Sequence, residues 1–131
     1  MSQSAETIAR QLLRCFKQGN KLLCFGNGGS SQQASHFVAE LIHEGLPAIS
    51  LTSDASVLTA TANDFSYKEV FARQIIALGK TGDIAMGFST SGKSENVLYA
   101  YEWAKKMDLG IIDFPRKGKN TPRIQEYQLK L

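Results

Sequence analysis

The sequence predicts an α/β fold built on a central parallel sheet. Short apolar runs alternate with segments of helical period along the whole chain. Two of those runs end in Ser/Gly-rich turns that open directly into helices. The length, 131 residues with 43% apolar and 21% charged side chains, suits one domain with a core of its own, 1–131.

Residues 5–18 place Ile8, Leu12, Cys15 and Phe16 on one face at helical spacing, and Gly19-Asn20 stops that helix. The run Lys21–Phe25 fits a buried parallel strand. Gly26–Ser31 turns out of it, and Ser31–His43 reads as a helix with Ala34, Phe37, Val38 and Leu41 on one stripe. Pro47–Thr52 is the second strand. Ala55–Ala62 and Val70–Leu78 are helices separated by Asn63–Lys68. Asp83–Phe88 is the third strand, followed by the turn Ser89–Ser94. The helix Glu95–Met107 points Val97, Leu98, Ala100, Tyr101 and Ala104 inward. Leu109–Phe114 is the fourth strand, and Thr121–Leu131 starts another helix. Strands that alternate with helices imply right-handed crossovers and a parallel sheet. Ligands of such sheets sit outside the carboxyl ends of the strands, where both Ser/Gly turns fall.

Composition narrows the function classes. The net charge of +3 suits a small anionic ligand and is too weak to argue for nucleic acid. The one basic cluster, Arg116–Lys119, lies among Pro, Gly and Asn and reads as a solvated loop. Cys15 and Cys24 sit in apolar patterns outside any CxxC pair, which predicts reduced, buried thiols. The first ten residues lack the apolar stretch of a signal peptide. No apolar run approaches the roughly 20 residues that span a bilayer. The expectation is a soluble, cytoplasmic protein.

Gly26-Asn27-Gly28-Gly29-Ser30-Ser31 follows a strand and opens a helix. Glycines allow the backbone close to an anion, and the unpaired first amides and dipole of a helix favour negative charge. A tight turn with a Ser cap is the competing reading. Ser89-Thr90-Ser91-Gly92-Lys93-Ser94 has four hydroxyl residues in six, where capping needs one. The P-loop spacing is absent, so a phosphomonoester fits better than a nucleotide. His36 and Glu40 stand four apart on the helix after the first turn and share a face. That spacing suits a metal or proton transfer, but taken alone it favours an exposed hydrogen-bonded pair.

GNGGS, LTSDASVLTATANDF, VFARQ, GD, STSGKSENV and TPRIQE resemble the sugar-isomerase (SIS) domain. Within it they resemble the phosphoheptose isomerase family, over about Ile8 to Leu131. The resemblance implies a three-layer α/β/α sandwich of flavodoxin-like topology. It also implies isomerisation of sedoheptulose 7-phosphate to D-glycero-D-manno-heptose 7-phosphate, for heptose and lipopolysaccharide precursor synthesis. Carried over by position, the substrate contacts are Asn27, Gly28, Gly29, Ser30, Asp64, Ser89, Thr90, Ser91, Ser94 and Gln125. One zinc per subunit falls to His36, Glu40 and Gln125, and Glu40 also serves as acid/base. Asp64 has a plain alternative as a cap or turn residue. The family further implies a homotetramer with sites at subunit interfaces, without membrane or direct nucleic-acid binding.

The sequence is shorter than the family pattern in four places. An N-terminal helix is missing, and the connection from Glu40 to Leu46-Pro47 is short. A Gly-rich turn, a helix and a strand are absent between Phe114 and Pro115. The last helix stops before a second acid/base His that also ligates zinc, and His43, expected to be exposed at a helix end, does not replace it. Losing an internal strand and helix would leave a hole in the core, so we expect the sequence to join segments of a longer protein. Two other functions fit parts of the pattern. One is a non-catalytic relative that binds the bacterial replication initiator, against which Glu40 and the intact Ser89-Thr90-Ser91-Gly92 turn argue. The other is a sugar-phosphate-sensing regulatory domain, which needs the two turns but neither His36 nor Glu40.

Overall fold

The computed structural model describes residues 5–114. Gln125, the helix expected over Thr121–Leu131, the basic cluster Arg116–Lys119 and the join at Pro115 lie outside the described residues. The order is α1 (Ala5–Lys17), β1 (Leu22–Gly26), α2 (Gly29–His43), β2 (Ala48–Ser50), α3 (Ala55–Asp64), a 3-10 turn (Tyr67–Glu69), α4 (Ala72–Leu78), β3 (Ile84–Phe88), α5 (Glu95–Lys106) and β4 (Gly110–Phe114).

All pairings are parallel and the strand order is β2-β1-β3-β4. β1 and β3 pair along their full lengths, Leu22 against Ile84 through Gly26 against Phe88. All five residues of each are buried, which is why both read as unbroken apolar runs rather than alternating ones. Side chains still alternate between faces. Leu22, Cys24, Ile84, Met86, Phe88, Ile112 and Phe114 join α1 and α2 in one core. Leu23, Phe25 and Ala85 join α4 and α5 in the other. The result is the expected three-layer sandwich. Chain order reverses direction between β1 and β3, so the crevice at their carboxyl ends is the topological switch point.

The apolar stripes expected of α1 and α2 are buried, and both thiols are free and buried. Burial, with the nearby Asp83 charge, pushes the Cys15 thiol up to about 11. Burial alone pushes Cys24 up. Neither is a nucleophile at neutral pH. Leu98 corrects the expectation for α5. Its side chain is 45% exposed, because the buried face of that helix runs through Asn96, Val97, Ala100 and Ala104. Position 98 lies about 100° around the helix from Val97 and clears the sheet.

Candidate functional site

Both Ser/Gly turns stand side by side at the switch point. β1 ends at Gly26, where a Cβ would lie 2.7 Å from the Phe88 carbonyl oxygen and 3.0 Å from Ser30 atoms. Only glycine lets α2 start this close to β3. Gly28 then turns the chain with φ +54°, and α2 begins at Gly29, two residues earlier than expected.

The Ser-cap reading of the first turn is not what the chain adopts. No side chain caps α2, and Ser31 Oγ donates to the Gly28 carbonyl at 2.6 Å instead of accepting from an amide. No side chain caps α5 either, although Ser94 occupies its cap position. By contrast, Asp54 caps α3 by accepting from Val57 N at 3.1 Å. In the first turn Ser30 N and Ser31 N donate to the Asn27 and Gly28 carbonyls at 2.8 and 3.0 Å. The amides left without an acceptor among the described residues are therefore those of Gly28 and Gly29, beside the uncapped start of α5, the arrangement that receives anions.

Within the second turn, Ser89 is buried and its hydroxyl accepts from Gly92 N at 3.1 Å and meets Ser94 Oγ at 3.2 Å. Ser91 Oγ accepts from Lys93 N at 3.1 Å. Two of the four hydroxyls thus shape the loop around its backbone donors, and exposed Thr90 and Ser91 rim it. In the first turn Asn27 is half-buried, Gly28 and Gly29 are exposed, and Ser30 is buried.

One feature escaped the sequence reading. Asn96, 3% exposed, exchanges two hydrogen bonds with Asn27. It accepts from Asn27 Nδ2 at 2.8 Å and donates to Asn27 Oδ1 at 2.9 Å. Tyr67 donates its hydroxyl to the same Oδ1 at 2.7 Å. A polar residue just inside a helix start gives no local signal of a partner 69 residues away.

His36 Nε2 and Glu40 Oε1 stand 3.0 Å apart. The imidazole is 72% exposed and Glu40 about a third exposed. An open depression of about 490 Å³ runs along α2 from Gly29 past Gln32 and Gln33 to His36, connecting the first turn to the pair. An imidazole nitrogen and a carboxylate oxygen on one helix face are donors of the kind zinc takes. Among the described residues no group of three His, Cys, Asp or Glu side chains gathers, so the pair alone offers two of the four donors that a tetrahedral site needs. Asp64 closes α3, exposed, and accepts from Asn63 Nδ2 at 3.1 Å. It makes no hydrogen bond to either turn among the described residues.

Parallel topology with Ser/Gly turns at the switch point is the architecture of a phosphate-binding α/β domain. The family model described as SIS domain matches residues 2–114, and the chain belongs to that family. Within it the chain falls among the phosphoheptose isomerases, a family of isomerase enzymes. It is 44% identical over 153 aligned residues to phosphoheptose isomerase of Thermodesulfovibrio yellowstonii, covering all of this chain and 74% of that one. It is 47% identical over 118 residues to the Shewanella loihica phosphoheptose isomerase, covering 86% of this chain and 60% of the relative. The solved phosphoheptose isomerase of Neisseria gonorrhoeae superposes with a TM-score of 0.83 at 39% identity, covering 96% of this chain and 67% of that one. The Francisella tularensis phosphoheptose isomerase gives 0.83 at 36%, covering 93% and 65%. The chain thus spans between 60% and 74% of these curated relatives. The first match runs over more positions than this chain has residues, consistent with the short connections noted in the sequence. Among the described residues no helix is long and apolar enough to cross a membrane.

Proposed function

We propose that the chain is the phosphosugar-binding and catalytic core of an isomerase that converts sedoheptulose 7-phosphate to D-glycero-D-manno-heptose 7-phosphate. The observation that carries this reading is the pair of uncapped Ser/Gly turns on adjacent strands, with a carboxylate–imidazole pair on the helix that the first turn launches. Phosphate is held by the amides of Gly28 and Gly29, by the Ser30 side chain and by the Ser89–Ser94 loop. From Gly29 to His36 the helix rises about 10 Å, a span that matches an extended seven-carbon sugar phosphate.

Ketose-to-aldose conversion moves a proton between adjacent carbons through an enediolate. Glu40 takes the proton from one carbon and returns it to the next. Its contact with His36, which lines the depression, holds the carboxylate next to that residue. Donors at the turns hold the phosphate, so the reacting carbons stay within reach of Glu40. Zinc, with His36, Glu40 and Gln125 as its ligands, would polarise the sugar carbonyl when bound. A second acid/base and the remaining ligand come from outside the described residues. We place the protein in the cytoplasm, as a homotetramer with sites at subunit interfaces that supplies heptose for lipopolysaccharide precursors. The weakly enclosed depression supports a site completed by a second subunit.

The test is conversion of sedoheptulose 7-phosphate by the full-length protein with zinc, following heptose 7-phosphate. Compared at equal zinc occupancy, because Glu40 is also a proposed ligand, Glu40→Gln is expected to lower kcat by about 10³ while leaving substrate affinity within about threefold, since the amide keeps the side chain's shape. A folded, zinc-loaded oligomer without turnover would remove the enzymatic reading.

A further inference from the structure

The Asn27–Asn96 pair ties together three segments distant in sequence. Asn27 lies in the first turn. Asn96 is the second residue of α5, directly after the second turn. Tyr67 belongs to the 3-10 turn, whose Lys68 meets Glu95 at 3.8 Å and lies 4.7 Å over the Tyr99 ring. All three converge on Asn27 Oδ1, which accepts from Asn96 Nδ2 and from the Tyr67 hydroxyl. An amide oxygen has two lone pairs and both are taken. Asn27 Nδ2 spends one of its hydrogens on Asn96 Oδ1. What the Asn27 side chain retains is a single N–H.

We propose that Asn96 is a positioning residue. It fixes the Asn27 amide as a pure donor and sets the separation of the two turns, with Tyr67 locking the pair. The atom that the ligand presents to Asn27 is then an acceptor, a phosphoryl or carbonyl oxygen, and a donor there is rejected. What the pair positions rests on the function proposed above. That it couples the turns does not.

Three variants of the full chain test this: Asn96→Ala, Asn96→Asp and Tyr67→Phe. In ligand-free protein, hydrogen exchange over residues 27–31 should speed by about tenfold in Asn96→Ala, the cost of orphaning one buried amide partner. Amides of β1 and β3 should keep their parent rates. Asn96→Asp is the sharper probe. A neutral carboxylic acid both donates and accepts, as the amide does, whereas a carboxylate only accepts. Glu95 and Lys68, the charged groups flanking position 96 on α5 and on the 3-10 turn, pair with each other. Burial raises a carboxyl's pKa, so both the exchange rate and the affinity for inorganic phosphate, each relative to parent at the same pH, should recover as pH falls toward about 5. For turnover of sedoheptulose 7-phosphate, Asn96→Ala should raise KM about tenfold with kcat within about threefold. Tyr67→Phe should raise KM about threefold.

Uniformly faster exchange across the whole sheet, or an Asn96→Asp profile that tracks the parent at every pH, would overturn the proposal and leave Asn96 a packing residue. If Asn96→Ala fails to fold, the two protonation states of Asn96→Asp decide the matter in one protein. Absence of turnover in the parent would count against the isomerase reading, while the exchange measurements would still decide this one.

Discussion

At the amino ends of β1 and β3 one carboxylate saturates the available donors. Asp83, 1% exposed, accepts from Asn20 Nδ2, Lys21 N, Lys21 Nζ and Lys80 N at 2.7–3.0 Å. At the carboxyl ends of the same two strands no carboxylate accepts from the turn amides among the described residues, and those of Gly28 and Gly29 have no acceptor there. The helices there start without caps, and glycines hold the backbone bare. Both ends concentrate polar groups, and the difference is whether the protein supplies the anion. Where it does, the network is structural. Where it does not, the anion comes from a ligand.

Breaking the saturated end should have the largest effect. Asp83→Ala leaves Lys21 and three other donors without their acceptor and is expected to cost about 3–5 kcal/mol in urea unfolding. Phosphate affinity of the folded fraction should stay at the parent value. The pH dependence follows the same logic. Burial raises the Asp83 carboxyl's pKa, but hydrogen bonds from Lys21, Asn20 and Lys80 outweigh it and hold the net value below the usual carboxylate range. A depressed native pKa contributes stability that is fully present above the unfolded value of about 4. That contribution is lost as pH falls through the native value. Parent stability should therefore drop below about pH 4, and Asp83→Asn should flatten that drop at the cost of lower stability at neutral pH.

At the open end, Gly26→Ala pushes a methyl group against the Phe88 carbonyl and Ser30. It should cost about 2 kcal/mol and, unlike Asp83→Ala, abolish measurable phosphate binding by displacing α2. Ser89→Ala removes the acceptor of Gly92 N. It should weaken phosphate binding about tenfold while lowering stability by about 1 kcal/mol, read by calorimetry and urea unfolding on the same sample. The smallest effect sharpens the contrast between capped and uncapped helices. Asp54→Ala should cost about 1 kcal/mol and leave phosphate affinity unchanged.

The open end was legible in the sequence and the clamp across it was not. Gly26–Ser31 and Ser89–Ser94 announce themselves because local rules govern them: a strand, a cluster of small hydroxyl residues, a helix start. The strands were equally readable, since burial on both faces leaves near-continuous apolar runs such as Leu22–Phe25. Leu98 misled because an apolar residue beside Val97 fits the helical stripe, and only the tilt of α5 on the sheet decides which of the two is covered. Asp83 appeared as part of a Gly-Asp signature, yet three of its four donor groups come from Asn20-Lys21, more than 60 residues away in sequence. Asn96 and Tyr67 carry no local signal at all. Their role exists only once β1 and β3 are adjacent. His36 and Glu40 were found by their spacing, and the structure brings them together at 3.0 Å. It gathers no further His, Cys, Asp or Glu around them among the described residues.

The most direct test of the account is an amide-resolved titration of the full-length protein with sedoheptulose 7-phosphate. The largest shifts should fall on Gly28, Gly29, Ser30 and the Ser89–Ser94 turn, with Lys21, Lys80 and Asp83 at the other end of the sheet unmoved. Saturation with the shifts centred instead on the basic face of α1, at Arg10, Arg14 and Lys17, or no shift at either turn, would contradict it.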